Sequence, residues 1–341
     1  MRPRTLGKSE LDVTPIVLGT WALGGWLWGG TSRNRPEDAI RASLDQGINT
    51  IDTAPVYGFG LSEELVGRAL KGRRDRVIVA TKCGLVWDGR EGQTPFFDTH
   101  DAEGHPLKIG RCLRRDSIVA ECHASLKRLG VEVIDLYQCH WPDPGTPQDE
   151  TMETLESLRE AGKIRAYGVS NYSVPQLEDA LGFGRALAST QPKYSLLSRE
   201  VERDVLPFCR AHGLGVLCYS PLEMGLLSGK VHMDREFGEA DTRRLRPWFQ
   251  PAKRKQVLDA LEAIRPIADG HHASVAQIAI AWVLAQAGVT AAIVGARDAA
   301  QAAANAEAGR LQLSHAEEHA IRKVFEPLKL EEPFNPEQAR R

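Results

Sequence analysis

A chain of 341 residues, 42% hydrophobic and 26% charged, carries enough apolar material for a large core and too much for a disordered segment. Its net charge is -2 with Lys and Arg scattered along it, which argues against sequence-independent binding to nucleic acid or acidic membrane. No run of about 18 apolar residues occurs, the start MRPRTLGKSELDVTPIVLG lacks a signal peptide's apolar segment, and the six cysteines show neither CxxC pairing nor disulfide-scaffold density, so a cytoplasmic protein with reduced thiols is expected.

Residues 2–15 read as a leading hairpin, and the apolar run 16–18 as a first buried strand that ends in Gly19, Thr20 and Trp21. From there a unit recurs. ASLDQGINTIDTA (42–54) carries a helical pattern, a stop at Gly47 and a short apolar strand ending in Asp52; glycine stops a helix cheaply because it accepts the left-handed conformation after the last turn. The run 77–80 is the third strand and leads into Lys82, with a long loop of Gly, Asp and His expected at 88–114. ASLKRLGVEVIDLYQCH (124–140) and ESLREAGKIRAYGVSN (156–171) repeat the unit around Gly130 and Gly162, ending in His140 and in Ser170 with Asn171. A sixth strand at 187–191 ends in Gln191. PFCRAHGLGVLCYSP (207–221) turns at Gly213 and ends in Tyr219 and Ser220, and WVLAQAGVTAAIVGA (282–296) turns at Gly288 and ends in Gly295.

Apolar runs without clean alternation suit strands buried on both faces, and eight of them alternating with helices predict an α/β fold, a closed (β/α)8 TIM barrel. Such a barrel takes about 250 residues. The surplus is assigned to the hairpin, to the loops 88–114 and 222–270, and to a C-terminal helix and tail (307–341), around a barrel spanning 16–306 in a single domain 1–341. Loops of that length serve binding, and in this architecture active sites lie where strands run into the following loops.

That rule turns position into a filter. Taken singly, a strand-end His is commonly a satisfied hydrogen-bonding residue, and an Asp-Tyr pair is commonly turn chemistry. Asp52, Lys82 and His140 on three neighbouring strands, with Tyr57 in the intervening stretch IDTAPVYGFG, are a different matter. An ammonium beside a phenol stabilises phenolate and is expected to lower its pKa. Lys82 supplies the charge, Asp52 pairs with Lys82 and offsets its burial, and His140 hydrogen-bonds a substrate oxygen. A tyrosine acid of this kind fits protonation of the alkoxide formed when hydride attacks a carbonyl, and hydride requires a cofactor.

No GxGxxG stands between a strand and a helix, so the Rossmann mode of dinucleotide binding is absent. A barrel offers instead a phosphate site in the loops after strands seven and eight, here YSPLEMGLLSGK and GARDAAQAAAN. Trp21, Trp26, Trp28, Trp87 and Trp141 lie at or just after strand ends, and most of them, Trp21, Trp28, Trp87 and Trp141 with Tyr57, are expected to line a substrate pocket. HAEEH (315–319) matches a zinc-hydrolase pattern but sits in a polar helix after the barrel without an evident third ligand, so it reads as a solvated face and no metal is expected there or at His271 and His272. Cys83 and Cys139 flank Lys82 and His140 without a thiol-activation pattern and read as packing.

IDTAPVYG, ATKCG, QCHWPD, YGVSNY, QPKY, YSPLEMGLLSGK and IVGARDAAQAAAN, in order and spacing, resemble the aldo-keto reductase superfamily across nearly the whole chain, most like its bacterial general-aldehyde branches. The resemblance implies that Asp52, Tyr57, Lys82 and His140 are a catalytic tetrad, with Tyr57 as the acid. It implies that Ser170, Asn171 and Gln191 hold a nicotinamide amide and that Tyr219 stacks on that ring. Ser220, Pro221, Leu222, Gly225, Leu227 and Lys230 then approach the pyrophosphate, Gly19, Thr20, Trp21 and Asp52 complete the cofactor contacts, and Gly295, Ala296, Arg297, Gln301 and Asn305 meet the adenosine end.

The best-studied branches place a Lys directly after the eighth strand and an Arg further on against the 2'-phosphate. This chain has Gly295 and Gln301 there. Arg297 lies between them, and its planar fork suits phosphate, so NADPH is expected as the cofactor, held mainly by Arg297, with NADH possible. The reading is therefore an NADPH-dependent reductase of a small-molecule carbonyl. Two other classes stand beside it: a noncatalytic, cofactor-occupied redox-sensing subunit of the same superfamily, and a barrel hydrolase. The hydrolase needs facing acids or a ligand cluster, and Asp52 is the one clear strand-end carboxylate.

Overall fold

The computed structural model describes residues 1–28, 36–183 and 186–330. Residues 29–35 and the tail beyond 330, part of the expected C-terminal segment, lie outside the described residues.

A short hairpin of β1 (Arg4–Thr5) and β2 (Asp12–Val13) opens the chain. It places Leu6, Leu11 and Val13 against the barrel interior, with Val17, Leu136 and Leu217, and so closes the end of the barrel away from the loops described below. The eight barrel strands are β3 (Ile16–Gly19), β4 (Thr50–Asp52), β5 (Ile78–Cys83), then, beyond an inserted sheet of β6 (Leu85–Val86), β7 (Thr94–His100) and β8 (Pro106–Arg111), β9 (Ile134–Cys139), β10 (Ile164–Ser170), β11 (Leu187–Gln191), β12 (Gly215–Tyr219) and β13 (Ala291–Gly295). They run parallel and close in the order β10-β11-β12-β13-β3-β4-β5-β9. This is the (β/α)8 TIM barrel expected from the repeated unit. Strands β9 and β11 are buried along their whole length, because helices cover their outer face while side chains fill the inner one.

The helices α1 (Pro36–Asp45), α2 (Leu61–Leu70), α3 (Arg115–Leu129), α4 (Gln148–Glu160), α5 (Val174–Phe183) and α6 (Val205–His212) connect the strands, and α7 (Pro251–Ala263), α8 (Arg265–Gly270), α9 (Val275–Ala285), α10 (Ala299–Ala308) and α11 (His315–Phe325) complete the chain. Gly130 and Gly213 cap α3 and α6 in the left-handed conformation, at the stops that the pattern predicts. No helix among the described residues is long and apolar enough to cross a membrane.

The expected loop 88–114 is a correction. It folds as an antiparallel sheet in the order β6-β8-β7, with Phe97 opposite Ile109 and Thr99 opposite Leu107. Phe97 and Thr99 are buried while Asp98 and His100 are exposed, a period of two hidden among the polar residues of the segment. In HAEEH, Glu317 closes a capping box with Ser314 at the start of α11 and lies 2.9 Å from the His271 ring nitrogen, so this carboxylate fastens two helices together.

Candidate active site

At the rim where the strands end, Asp52 closes β4, Lys82 stands near the end of β5, and His140 follows β9. Tyr57 sits on the turn after β4, and that turn is seated by two glycines in backbone contact. A Cβ on Gly24 would lie 2.6 Å from the Tyr57 carbonyl oxygen, and one on Gly58, at φ +69°, 2.5 Å from the Gly24 carbonyl oxygen. Only glycine fits either place.

Lys82 is fully buried. Its Nζ donates to Asp52 Oδ1 at 2.7 Å, to the Thr53 carbonyl at 2.9 Å and to the Tyr57 hydroxyl at 3.4 Å. The His140 ring stands edge-on to that of Tyr57, centroids 5.7 Å apart. Burial lowers the Lys82 pKa, while the Asp52 charge and hydrogen bond draw it back up. For Tyr57 the expected direction is reversed. Burial pushes the phenol well above its ordinary value, and the Asp52 charge pushes it further. Both causes favour the protonated phenol, so Tyr57 keeps its proton through neutral pH.

A second set of side chains is knitted to the first. Gln191 Nε2 donates to Asp52 Oδ2 at 2.9 Å, and the Ser170 hydroxyl donates to the Gln191 carbonyl at 2.7 Å. Asn171 Nδ2 donates to the His140 carbonyl at 3.0 Å, and its Oδ1 accepts from the Tyr219 hydroxyl at 2.9 Å. Asn171, Ser220, Glu223 and Met224 all hold φ between 44° and 64°, a left-handed backbone that non-glycine residues adopt at a cost of about 1–3 kcal/mol each. Such strain persists where surrounding contacts over-determine the shape of a site.

A cavity of about 1630 Å³ opens over these groups, large enough for a dinucleotide beside a small substrate. Every residue expected to touch the cofactor lines it except Leu227 and Ala296. The side chains of those two are buried in the hydrophobic core instead. Trp21, Trp28, Tyr57 and Trp141 line the same cavity. Trp87 does not. It packs edge-on against Phe59, ring centroids 5.4 Å apart, while Trp26 and Phe97 reach the cavity.

At the far end, Asp298 caps α10, Gln301 returns its side-chain oxygen to the Arg297 amide at 3.1 Å, and Asn305 Nδ2 donates to the Gly295 carbonyl at 3.1 Å. Arg297 is exposed on the cavity rim.

Two contributions had no signal in the sequence. Glu223, nearly buried, accepts from the hydroxyls of Ser195 and Ser198 and pairs with Lys193 at 2.8 Å, which fastens the strained loop after β12 to the end of β11. Arg243, fork-paired to Asp241, stands 5.0 Å over the Trp28 ring, and the Thr242 amide donates to the Leu27 carbonyl at 3.2 Å. The segment after β12 is thereby tied across the mouth to the segment after β3.

The profile described as the aldo/keto reductase family matches residues 15–326. The aldo-keto reductase YhdN of Bacillus subtilis is 39% identical over 340 residues, covering 99% of this chain and 97% of that protein. The NADH-specific methylglyoxal reductase of Escherichia coli is 38% identical over 334 residues, covering 96% and 99%. The structure of the glycerol dehydrogenase AKR11B4 from Gluconobacter oxydans superposes with a TM-score of 0.85 at 39% identity, covering 98% of each chain.

Proposed function

Because the chain belongs to the aldo/keto reductase family, whose members are NAD(P)H-dependent oxidoreductases, we propose that it reduces aldehyde or ketone carbonyls to alcohols with NADPH, using Tyr57 as general acid. The observation that carries this reading is the position of Lys82 Nζ, within reach of both the Asp52 carboxylate and the Tyr57 hydroxyl on the wall of a cavity that His140 also lines.

A bound nicotinamide supplies hydride to the carbonyl carbon. The chain's own groups do the rest. The Tyr57 hydroxyl gives its proton to the carbonyl oxygen as the C=O electrons move onto it. Lys82 stabilises the phenolate left behind, and the tyrosine is reprotonated before the next turnover. His140, held through its backbone by Cys83 and Asn171, orients the carbonyl oxygen toward Tyr57. The cofactor fits this chain's groups: Ser170, Asn171 and Gln191 offer an interlinked amide-binding edge, Tyr219 a ring beside it, and Ser220 to Leu222 a strained turn suited to phosphate.

NADPH is favoured over NADH on the strength of the exposed Arg297 guanidinium at the rim. Six buried, unpaired cysteines are in keeping with a reducing compartment, and the cytoplasm is the proposed location. The test is incubation of the purified protein with NADPH and a panel of aldehydes and ketones while cofactor absorbance is followed. Loss of absorbance with at least one carbonyl is expected. Tight cofactor binding without turnover of any carbonyl would instead favour a redox-sensing subunit.

A further inference from the structure

Two residues past Trp141 stands Asp143, buried at 7% exposure. Its Oδ1 accepts from the Thr94 hydroxyl at 2.7 Å and the Gly145 amide at 3.0 Å, and its Oδ2 from the Thr146 hydroxyl at 2.6 Å and the Leu113 amide at 3.1 Å. A carboxylate offers about four acceptor positions, so these donors take up what the group can give. Gly145 and Thr146 belong to the turn after β9 itself. Thr94 opens β7 and Leu113 follows β8, and since Thr94 pairs with Arg111 across those strands, both contacts fall at the open end of the β7–β8 hairpin, where it joins the barrel. The approach is close, and a Cβ on Gly145 would lie 2.5 Å from the Thr94 hydroxyl oxygen.

What this carboxylate joins is the wall of the cavity. Trp141 lines it from the turn after β9, and Phe97 lines it from β7. Phe96 packs against both rings, its centroid 5.3 Å from that of Trp141 and 5.1 Å from that of Phe97. On the barrel side the same turn is held at His140, whose amide donates to the Cys83 carbonyl at 2.9 Å and whose carbonyl accepts from Asn171 Nδ2 at 3.0 Å. The backbone of Trp141 and Pro142 therefore runs between two fixed points, and the proline ring restricts φ within that span. Resting on the reductase reading above, we propose that Asp143 is a positioning residue that clamps the inserted sheet to the turn carrying His140 and Trp141, and so sets where Phe97 stands relative to Trp141 across the substrate pocket. Asp143 does not itself line the cavity and acts through these two aromatic walls. Hydrogen bonds to a carboxylate are stronger than those between neutral groups, so the hairpin is held in place by more than ring contacts.

The test uses Thr94→Val, which removes the one hydrogen bond from Asp143 to β7 and keeps the shape of the side chain, together with Asp143→Asn and the double variant. The readout is the ratio of kcat/KM for benzaldehyde to that for cyclohexanecarbaldehyde, a flat and a puckered ring on the same carbon skeleton. A lower fraction of folded protein leaves this ratio unchanged. A displaced wall is expected to shift it roughly two- to tenfold toward the puckered aldehyde in each single variant, the scale of one hydrogen bond. The double variant should match Asp143→Asn, because the same bond cannot be lost twice. A ratio that in Thr94→Val stays at the wild-type value or moves the other way, or shifts that multiply in the double variant, would overturn the proposal and leave the reductase reading intact. If Asp143→Asn fails to fold, Thr94→Val decides by the same ratio. Should wild type reduce no carbonyl at all, the reductase reading fails separately. In that case, or if only other carbonyls react, the clamp is judged by amide hydrogen exchange. Faster exchange in Thr94→Val at both β7 and residues 140–146 supports it; a change confined to β7, or none, overturns it.

Discussion

Gln191 donates to Asp52 Oδ2 across the barrel at 2.9 Å while Lys82 holds Oδ1 of the same carboxylate at 2.7 Å. Strands β11 and β4 stand four apart in either direction round the closed sheet, so the bond spans the barrel mouth. The residue proposed to read the nicotinamide amide thus also steadies the pair proposed to serve the acid. Gln191→Met is expected to lower kcat by about tenfold and to raise the NADPH dissociation constant as well. A lowered affinity at unchanged kcat would show that Lys82 alone is enough to hold Asp52.

Tyr57→Phe is expected to lower turnover by about 10²–10⁴-fold with NADPH affinity nearly intact, since the phenol acts on the substrate oxygen. Lys82→Met should do comparable damage, because the phenolate formed during reduction loses its ammonium. The pH profile follows from the two shifts. Tyr57 is raised and Lys82 lowered, so as pH rises Lys82 loses its charge before Tyr57 loses its proton, and the reduction rate should stay level through neutral pH and fall on the alkaline side as Lys82 deprotonates. A rate that declined through neutral pH, in step with a phenol of depressed pKa, would contradict that order.

Arg297→Ala is expected to weaken NADPH by roughly ten-fold to a hundred-fold and leave NADH almost unchanged, in line with about 1.5–3 kcal/mol for a charged hydrogen bond. The exposure of Arg297 favours the lower figure. Fluorescence titration of both cofactors against wild type and variant measures it. Equal losses would assign Arg297 to the start of α10, and a wild-type preference for NADH would make Gly295 and Gln301 the better guide.

Glu121 lies buried on α3, accepting from the Gly84 amide and the Ser117 hydroxyl, each at 3.0 Å, with Arg90 at 3.7 Å. Burial pushes its carboxyl up from 4.5 to about 7. Between those values the folded chain binds more protons than the unfolded one, so its contribution to stability is present below pH 4.5 and is lost as pH rises to about 7. Glu121→Gln should remove that slope, worth on the order of 3 kcal/mol at most. Urea unfolding across this pH range reads it, and an unaltered slope would place the titrating group elsewhere.

What the sequence determined by itself is the set of features written in neighbouring residues. A glycine after a helical pattern stops the helix wherever the chain goes, and an uninterrupted apolar run requires burial on both faces, so the eight strands, their helices and the rim carrying Asp52, Lys82 and His140 were legible in advance. Tertiary structure decided what depends on residues far apart. The phenol of Tyr57 is raised by burial and by the Asp52 charge, and only three-dimensional placement sets either of them. Trp87 packs on Phe59 while Trp26 reaches the cavity, a difference set by contacts far apart in sequence, and the alternation that builds the β7–β8 sheet was short enough to pass for a loop. The hydrogen bond from Gln191 to Asp52 and the ion pair of Lys193 with Glu223 join segments that share no local pattern; closure of the barrel brings the first pair within reach, and the pairing of β11 with β12 the second.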